Sequence, residues 1–400
     1  MSFVNARVVA EGRVASSLRF ARRVLSIGGS PHAGDAVVDL DGAFVLPGLV
    51  NAHDHLELNH YGPLKGRERY DNASAWIADM RPRLQSDPAI RVNRAHSLAS
   101  RLFIGGLKNL LSGVTTVAHH NPAYLELALS VPVRLVSRYG WAHSFLLERQ
   151  PVGARGEPGG DVRARYRATS PRSPFIVHIA EGVDAAAASE VSRLDALGCL
   201  RANTVLVHGV AITTAEWARV VESGAGLVWC PASNQFLFGR TAAVREFLDQ
   251  SDRAPSHLCL GTDSRVTGAR DLLDEMRVAH ALTALTAREL LRMVTTVPAA
   301  MLRLSEAGRL ATGARADLVV IPASKDDAAA ALLETSRADI SLVAVGGRPM
   351  VAARTLEPVF RARGRGARPI VVDGRDRLAD ARLARTIARC GIREPGVECA

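Results

Sequence analysis

Five residues whose types suit metal chemistry stand at the ends of short apolar runs: His53 and His55 in "LVNAHDH", His178 in "FIVHIAEG", His208 in "VLVHGV" and Asp263 in "LCLGTDS". Strand side chains alternate, so His53 and His55 share one face, roughly 6.6 Å apart along the chain, while Asp54 points the other way. A single histidine near a strand end usually satisfies a neighbour. Four of them with an aspartate, all at equivalent strand ends, point instead to the imidazole and carboxylate set of a catalytic zinc or iron site. Glu181 lies three residues beyond His178. From there its carboxylate reaches a metal-activated water without being a ligand, as a general acid/base must.

The elements that position these residues follow a βα rhythm. Candidate strands are "FVLPGLVNA" (44–52), "VTTVAHH" (114–120), "VRLVSRY" (133–139), "PFIVHIA" (174–180), "TVLVHGV" (204–210), "GLVWC" (226–230) and "HLCLGTD" (257–263). Helical stretches separate them. In "DPAIRVNRAHSLASRLFIGGLKNLLSG", Asp87 caps, Pro88 fits the first turn and Gly113 ends the helix; Thr213 and Glu216 have capping-box spacing. The pattern predicts an α/β fold, a (β/α)8 TIM-like barrel over residues 48–307, distorted or shortened around its fourth unit. The irregular unit falls between Tyr139 and Pro174, where the chain is rich in Gly, Arg and Pro, with a mobile loop expected around 151–161. Residues 1–47 and 308–360 alternate as short strands and predict a small β-sandwich made by the N- and C-terminal segments. Residues 361–400 read as a tail, solvated over "RARGRGARP" and with an amphipathic helix over 376–390.

Composition narrows the class. Hydrophobic residues make up 48% of the 400 and charged residues 22%, as in a globular chain, and no apolar run is long enough to cross a bilayer. The first residues lack an apolar export segment, so a cytoplasmic protein is expected. Five cysteines without CxxC spacing indicate neither a disulfide framework nor a thiolate zinc site. The net charge of +10 comes from arginines spread along the chain, without interleaved aromatics, which argues against a nucleic-acid partner.

Together, "PGLVNAHDH", "HIAEG", "VHG", "CPASNQFLFGR" and "LGTDS" resemble the amidohydrolase superfamily, in its mononuclear branch of deaminases and chlorohydrolases. That branch includes guanine, adenosine and S-adenosylhomocysteine deaminases and triazine hydrolases. "GRLATGARADLVVI" and "VAVGGRPM" are similar to the segment that follows the barrel, so the resemblance spans nearly the whole chain. It implies one divalent metal, zinc by preference and iron as the alternative, held by His53, His55 and His178, with Asp263 as a further ligand or as a base. Glu181 is implied as the group that protonates the substrate's ring nitrogen, and His208 as the one that orients water. Asn234 and Ser264 are implied at the substrate rim. Binuclear members bridge two metals with a lysine on the fourth strand; no lysine lies between Lys108 and Lys325, which implies a single metal.

Loops after the first three strands build the pocket in this family. Here they supply His60, Arg67, His119, His120, Arg138, Tyr139 and Trp141 as substrate-binding candidates, with Tyr61, Lys65, Arg69, Trp76, Asn121 and His143 nearby. The implied activity is an aminohydrolase: hydroxide adds to an amidine-like carbon of a nitrogen heterocycle, and ammonia leaves. The alternatives are hydrolysis of another C–N or C–halogen bond, as in a cyclic amide or triazine, and a catalytically silent binding barrel. The expected partner is a small heterocyclic molecule, with no membrane and with a homodimer as the assembly common in the family.

Overall fold

The computed structural model describes residues 1–10 and 12–399. Strands Leu49–Asp54, Val114–His119 and Arg134–Leu135 form one parallel sheet. Gly140–Trp141, Phe175–Ile179, Thr204–His208, Gly226–Trp229 and Leu258–Leu260 form another. A parallel bridge between Asp54 and Asp263 joins the first strand to the last, which sets the two ends of the strand series side by side. Most of these strands are buried at every position, the condition for parallel strands covered on both faces.

Helices return the chain between strands, with ends where local chemistry sets them. Thr213 and Glu216 form the expected capping box ahead of Thr214–Ser223, and Gly224, at φ +74°, closes that helix. The long helix expected over 87–113 is instead two, Pro88–Arg94 and Leu98–Leu111. Ser97 makes the break: its hydroxyl accepts from the Ser100 amide and starts a second helix. Gly113, at φ +81°, ends it as expected, where a Cβ would press on Val319.

Between Arg134–Leu135 and Gly140–Trp141 there is no helix, only a four-residue bend. The run pairs first with the second strand, through Val136 N–H to Val117 O. It then pairs with the Phe175–Ile179 strand, through Ala142 N–H to Ile176 O. The stretch expected as a mobile loop is a short hairpin, Pro151–Val152 with Glu157–Pro158, followed by the Asp161-capped helix Val162–Ala168. Side chains hold the hairpin down: Ala154 N–H donates to the Tyr124 hydroxyl at 2.7 Å, and Arg155 lies over the Tyr124 ring.

The two ends of the chain meet in two further sheets. Ser2–Val4, Leu18–Phe20, Val24–Ile27 and Val37–Asp39 make one; Phe44–Pro47, Arg7–Ala10 and Leu318–Ile321 belong to the other, of nine strands. Phe3, Leu18, Phe20, Val45, Leu318 and Leu342 form a buried cluster shared by both.

Beyond residue 366 the chain is not a solvated tail. Ala367–Val372, Arg375–Asp380 and Val397–Cys399 extend the nine-stranded sheet, and helix Ala381–Arg389 lies between two of them. The physical reason is arginine pairing. The buried Glu394 carboxylate accepts from Arg265 at 2.7 and 2.5 Å and from Arg337 at 2.5 Å. Glu394→Gln leaves two buried guanidinium groups short of a charged acceptor and is expected to cost about 2–3 kcal/mol of stability in urea unfolding. The five cysteines are free. Among the described residues, no helix is long and apolar enough to cross a membrane.

Candidate metal centre and its cavity

The end of the first strand is knitted to the last before any side chain is considered. His55 N–H donates to Asp263 O at 2.6 Å, and His53 O accepts from the Thr262 and Asp263 amides. His53, His55 and Asp263 therefore move as one unit, and His178 faces them from the fifth strand. His178 Nε2 lies 3.2 Å from His53 Nε2 and 3.4 Å from His55 Nε2, and Asp263 Oδ1 is 3.5 Å from both. One donor atom from each of the four residues falls within 4.8 Å of the others.

The tautomers decide what this cluster can hold. His178 Nδ1 faces the His143 carbonyl at 2.8 Å, so it carries the proton, and Nε2 presents a lone pair. His120 Nε2 faces the Ala142 carbonyl at 3.0 Å and is protonated there. Its Nδ1 then accepts from His53 Nδ1 at 3.3 Å, which leaves the His53 Nε2 lone pair in the cluster as well. Burial pushes the His53 imidazole down to about 4 against the pull of the Asp263 carboxylate, and burial with the surrounding imidazoles holds His178 well below its ordinary value. Burial would raise Asp263, but the facing His53, with the nearby His208 and His55, holds it well below the usual carboxylate range. Neutral imidazole lone pairs facing one another beside a carboxylate fit a divalent cation of zinc type.

Glu181 and His208 stand beside the cluster. Glu181 Oε1 is 3.5 Å from His208 Nε2. Burial, and after it the Asp263 and Glu190 carboxylates, push the Glu181 carboxyl well above its ordinary value. His208 Nδ1–H donates to Asn234 Oδ1 at 2.9 Å, so its Nε2 lone pair is the free one. His208 has φ +75°, Asp263 +55° and Ala180 +55°, left-handed conformations that cost on the order of 1–3 kcal/mol each in a non-glycine residue. Ser233 and Thr267 hydroxyls, at 2.7 and 2.6 Å, turn Asp263 Oδ2 away and leave Oδ1 for the cluster.

A cavity of about 520 Å³ opens over these groups, with His55, His178, Glu181, Asp263 and Ser264 at its floor. Trp76, Met80 and Leu84 form an apolar wall, and Arg81, Arg94 and Arg155 stand nearer the surface. The sequence candidates divide. Ser264, Asn121, His143 and Trp76 line the cavity, and Asn234 sits behind His208.

His60, Arg67, His119, His120, Arg138, Tyr139 and Trp141 do not line it, because their polar atoms or rings are engaged elsewhere or face solvent. His60 bonds to Asn93 O, and Arg67 lies over the Tyr70 ring. His120 backs His53 and stacks on His178 with ring centroids 4.3 Å apart. The Tyr139 hydroxyl donates to His119 O, Trp141 meets the His120 ring edgewise, and Arg138 is exposed.

Two features were not among the sequence candidates. Glu57 lines the cavity although its side chain is buried. Its one sequence signal is a carboxylate two places beyond His55. Lys108 is buried behind the first strand, with Nζ 3.0 Å from Asp54 Oδ2, 2.7 Å from Asn59 Oδ1 and 3.0 Å from Thr262 Oγ1. Its ammonium is therefore committed to groups behind the first strand, outside the four-residue cluster.

A family model described as the amidohydrolase family matches residues 175–350. The 5-methylthioadenosine/S-adenosylhomocysteine deaminase of Halobacterium salinarum is 29% identical over 353 residues, covering 76% of this chain and 78% of that protein. The 8-oxoguanine deaminase of Pseudomonas aeruginosa is 26% identical, over 69% of this chain and 74% of its own. Among solved structures, a zinc-bound adenosine deaminase from Xanthomonas campestris superposes with a TM-score of 0.70 at 19% identity, covering 91% of this chain and 97% of that one. The zinc complex of the Arthrobacter aurescens atrazine chlorohydrolase gives 0.69 at 19%, over 91% and 99%. The structural likenesses and the family match give the chain a TIM-barrel fold of mixed α/β content.

Proposed function

We propose that this chain, which matches the amidohydrolase family over residues 175–350, is a zinc-dependent deaminase of a nitrogen heterocycle, converting an amidine-like C–NH2 to C=O with release of ammonia. One observation carries the reading: three imidazoles and Asp263 converge on one point while Glu181, outside that set, stands beside it against His208. His53, His55, His178 and Asp263 hold the ion. A divalent ion there supplies a Lewis acid that brings the pKa of a water toward about 7.

The chain's own groups do the rest. Glu181 accepts the water's proton and passes it to the ring nitrogen next to the carbon attacked, which makes that carbon electrophilic. His208 Nε2, its lone pair fixed by Asn234, accepts the remaining O–H and aims the oxygen. Glu181 then takes up the proton still on the added hydroxyl and delivers it to the departing amino nitrogen, so the C–N bond breaks and water and substrate leave as carbonyl product and ammonia. The relatives support the substrate class: they are named for 5-methylthioadenosine, S-adenosylhomocysteine and 8-oxoguanine, all purine compounds.

In the same reading, residues 48–307 are the catalytic barrel, and the continuous run 134–142 stands in for separate third and fourth βα units. Residues 1–47 and 308–360 form the accessory β-sandwich, which the strands of 367–399 extend.

The test is ammonia release from a panel of purines, pyrimidines and pterins, with metal content measured on the same protein. Removing the ion with a chelator is expected to abolish release, and zinc to restore it. Halide release from chlorotriazines without ammonia from any heterocycle would replace deamination by the chlorohydrolase reading. A metal-free protein inert on all of them would leave only a binding barrel.

A further inference from the structure

Glu57 is a buried carboxylate that the chemistry above does not use. It sits in the Leu56–Leu58 turn just past the metal ligands, is fully shielded from solvent, and lines the cavity without joining the four-residue cluster. Asn121 Nδ2–H donates to its Oε1 at 2.6 Å. Its other oxygen, Oε2, has no hydrogen-bond partner, and neither has Asn121 Oδ1, although both are buried. Asn121 cannot turn its amide round without losing the bond to Glu57, so its oxygen is committed to facing elsewhere.

His119 does not relieve Oε2. Its Nδ1 lies 3.8 Å away and faces the Leu56 N–H at 3.4 Å, which places a lone pair on that nitrogen rather than a proton. Two acceptor oxygens, on side chains joined by one hydrogen bond and both lining the cavity, are thus left without donors. Buried oxygens left bare are costly, and they suit a ligand that brings N–H groups to them. A carboxylate and an amide oxygen together match an exocyclic amino group, which brings two N–H bonds on one nitrogen.

Resting on the deaminase reading, we propose that Glu57 and Asn121 form the substrate-recognition site. They select heterocycles that carry a second exocyclic amino group, distinct from the one hydrolysed. A 2-amino-substituted purine meets that description; a purine bare at that position does not. Glu57 acts on selection rather than on the bond broken, so its loss is read in KM and in the ratio between substrates.

The experiment compares 2,6-diaminopurine with adenine on the zinc-loaded protein and on its Glu57→Gln variant, which turns an acceptor into a donor while keeping size. The wild-type protein is expected to prefer 2,6-diaminopurine. In E57Q the ratio of the two kcat/KM values is expected to fall about 30-fold, mainly through KM. Asn121→Ala, which removes the second acceptor oxygen, is expected to lower the same ratio and guards against a folding artefact in the first variant. An unchanged ratio in both variants overturns the proposal, as does a wild-type preference for adenine.

Calorimetric binding of the two purines separates this proposal from the reaction itself. If neither is deaminated but 2,6-diaminopurine binds more tightly and E57Q abolishes the difference, the recognition site stands and the deaminase reading falls. Equal or absent binding of both purines overturns the recognition site.

Discussion

Glu181→Gln is expected to leave a folded, zinc-loaded protein whose ammonia release is slower by about 10²–10⁴-fold. Glutamine keeps the shape of the side chain and its contact with His208 Nε2, 3.5 Å from Oε1. It cannot take a proton from water and give it to a ring nitrogen. Glu181 is outside the four-residue cluster, so the metal content should not change. His178→Ala is the contrasting variant: it removes the imidazole that faces both His53 and His55, and metal and activity should be lost together. Metal analysis and turnover on one preparation read both effects. A variant that loses metal when Glu181 is changed, or that slows less than tenfold, removes this residue from proton transfer.

What the sequence discloses depends on whether a local periodicity governs the residue. His53 and His55 were readable because strand alternation puts them on one face, and His178, His208 and Asp263 because each closes an apolar run. Glu57 escapes that logic. Alternation ends at Asp54, the chain enters a 3-10 turn, and nothing local tells whether a carboxylate there faces solvent or a cavity. His119 and His120 mislead for a related reason: polar residues at a strand end suggest substrate contacts, yet His120 spends both nitrogens on His53 and the Ala142 carbonyl.

The run 133–143 reads as strand in either case. Which neighbours it pairs with is a long-range matter, and only the absence of an intervening helix lets one segment serve two partners. The segment after 366 looks solvated because it is rich in arginine. Its place in the sheet depends on Glu394 meeting Arg265 and Arg337 from distant parts of the chain.

Lys108 is the most consequential residue hidden in this way, since a lone lysine on a helix ordinarily reaches water. Its ammonium and the Asp54 carboxylate are both shielded from solvent and 3.0 Å apart. Asp54 lies between His53 and His55, and its Oδ2 also accepts from Asn109 at 2.7 Å and from Thr262, the residue before Asp263, at 3.0 Å. The ion pair therefore pins the first and last strands together directly behind the cluster. Burial alone would raise the Asp54 carboxyl; the Lys108 charge, with hydrogen bonds from Asn109 and Asn59, brings it below its ordinary value.

Lys108→Met leaves that carboxylate buried and uncompensated, at an expected cost of about 3–5 kcal/mol in urea unfolding at neutral pH. The sign of the pH dependence follows. In the native protein the depressed carboxyl stabilises the fold above the unfolded-state pKa, and this contribution is lost as pH falls through the folded value. In the variant burial raises the carboxyl instead, so acidification protonates it and the deficit relative to the native protein narrows from pH 7 toward pH 5. Adding Asp54→Asn to Lys108→Met removes the stranded charge and is expected to recover more than half of the loss, a coupling that independent sites would not show. A single variant costing less than about 1 kcal/mol would mean that the surrounding amides, and not the lysine, hold the first strand in place.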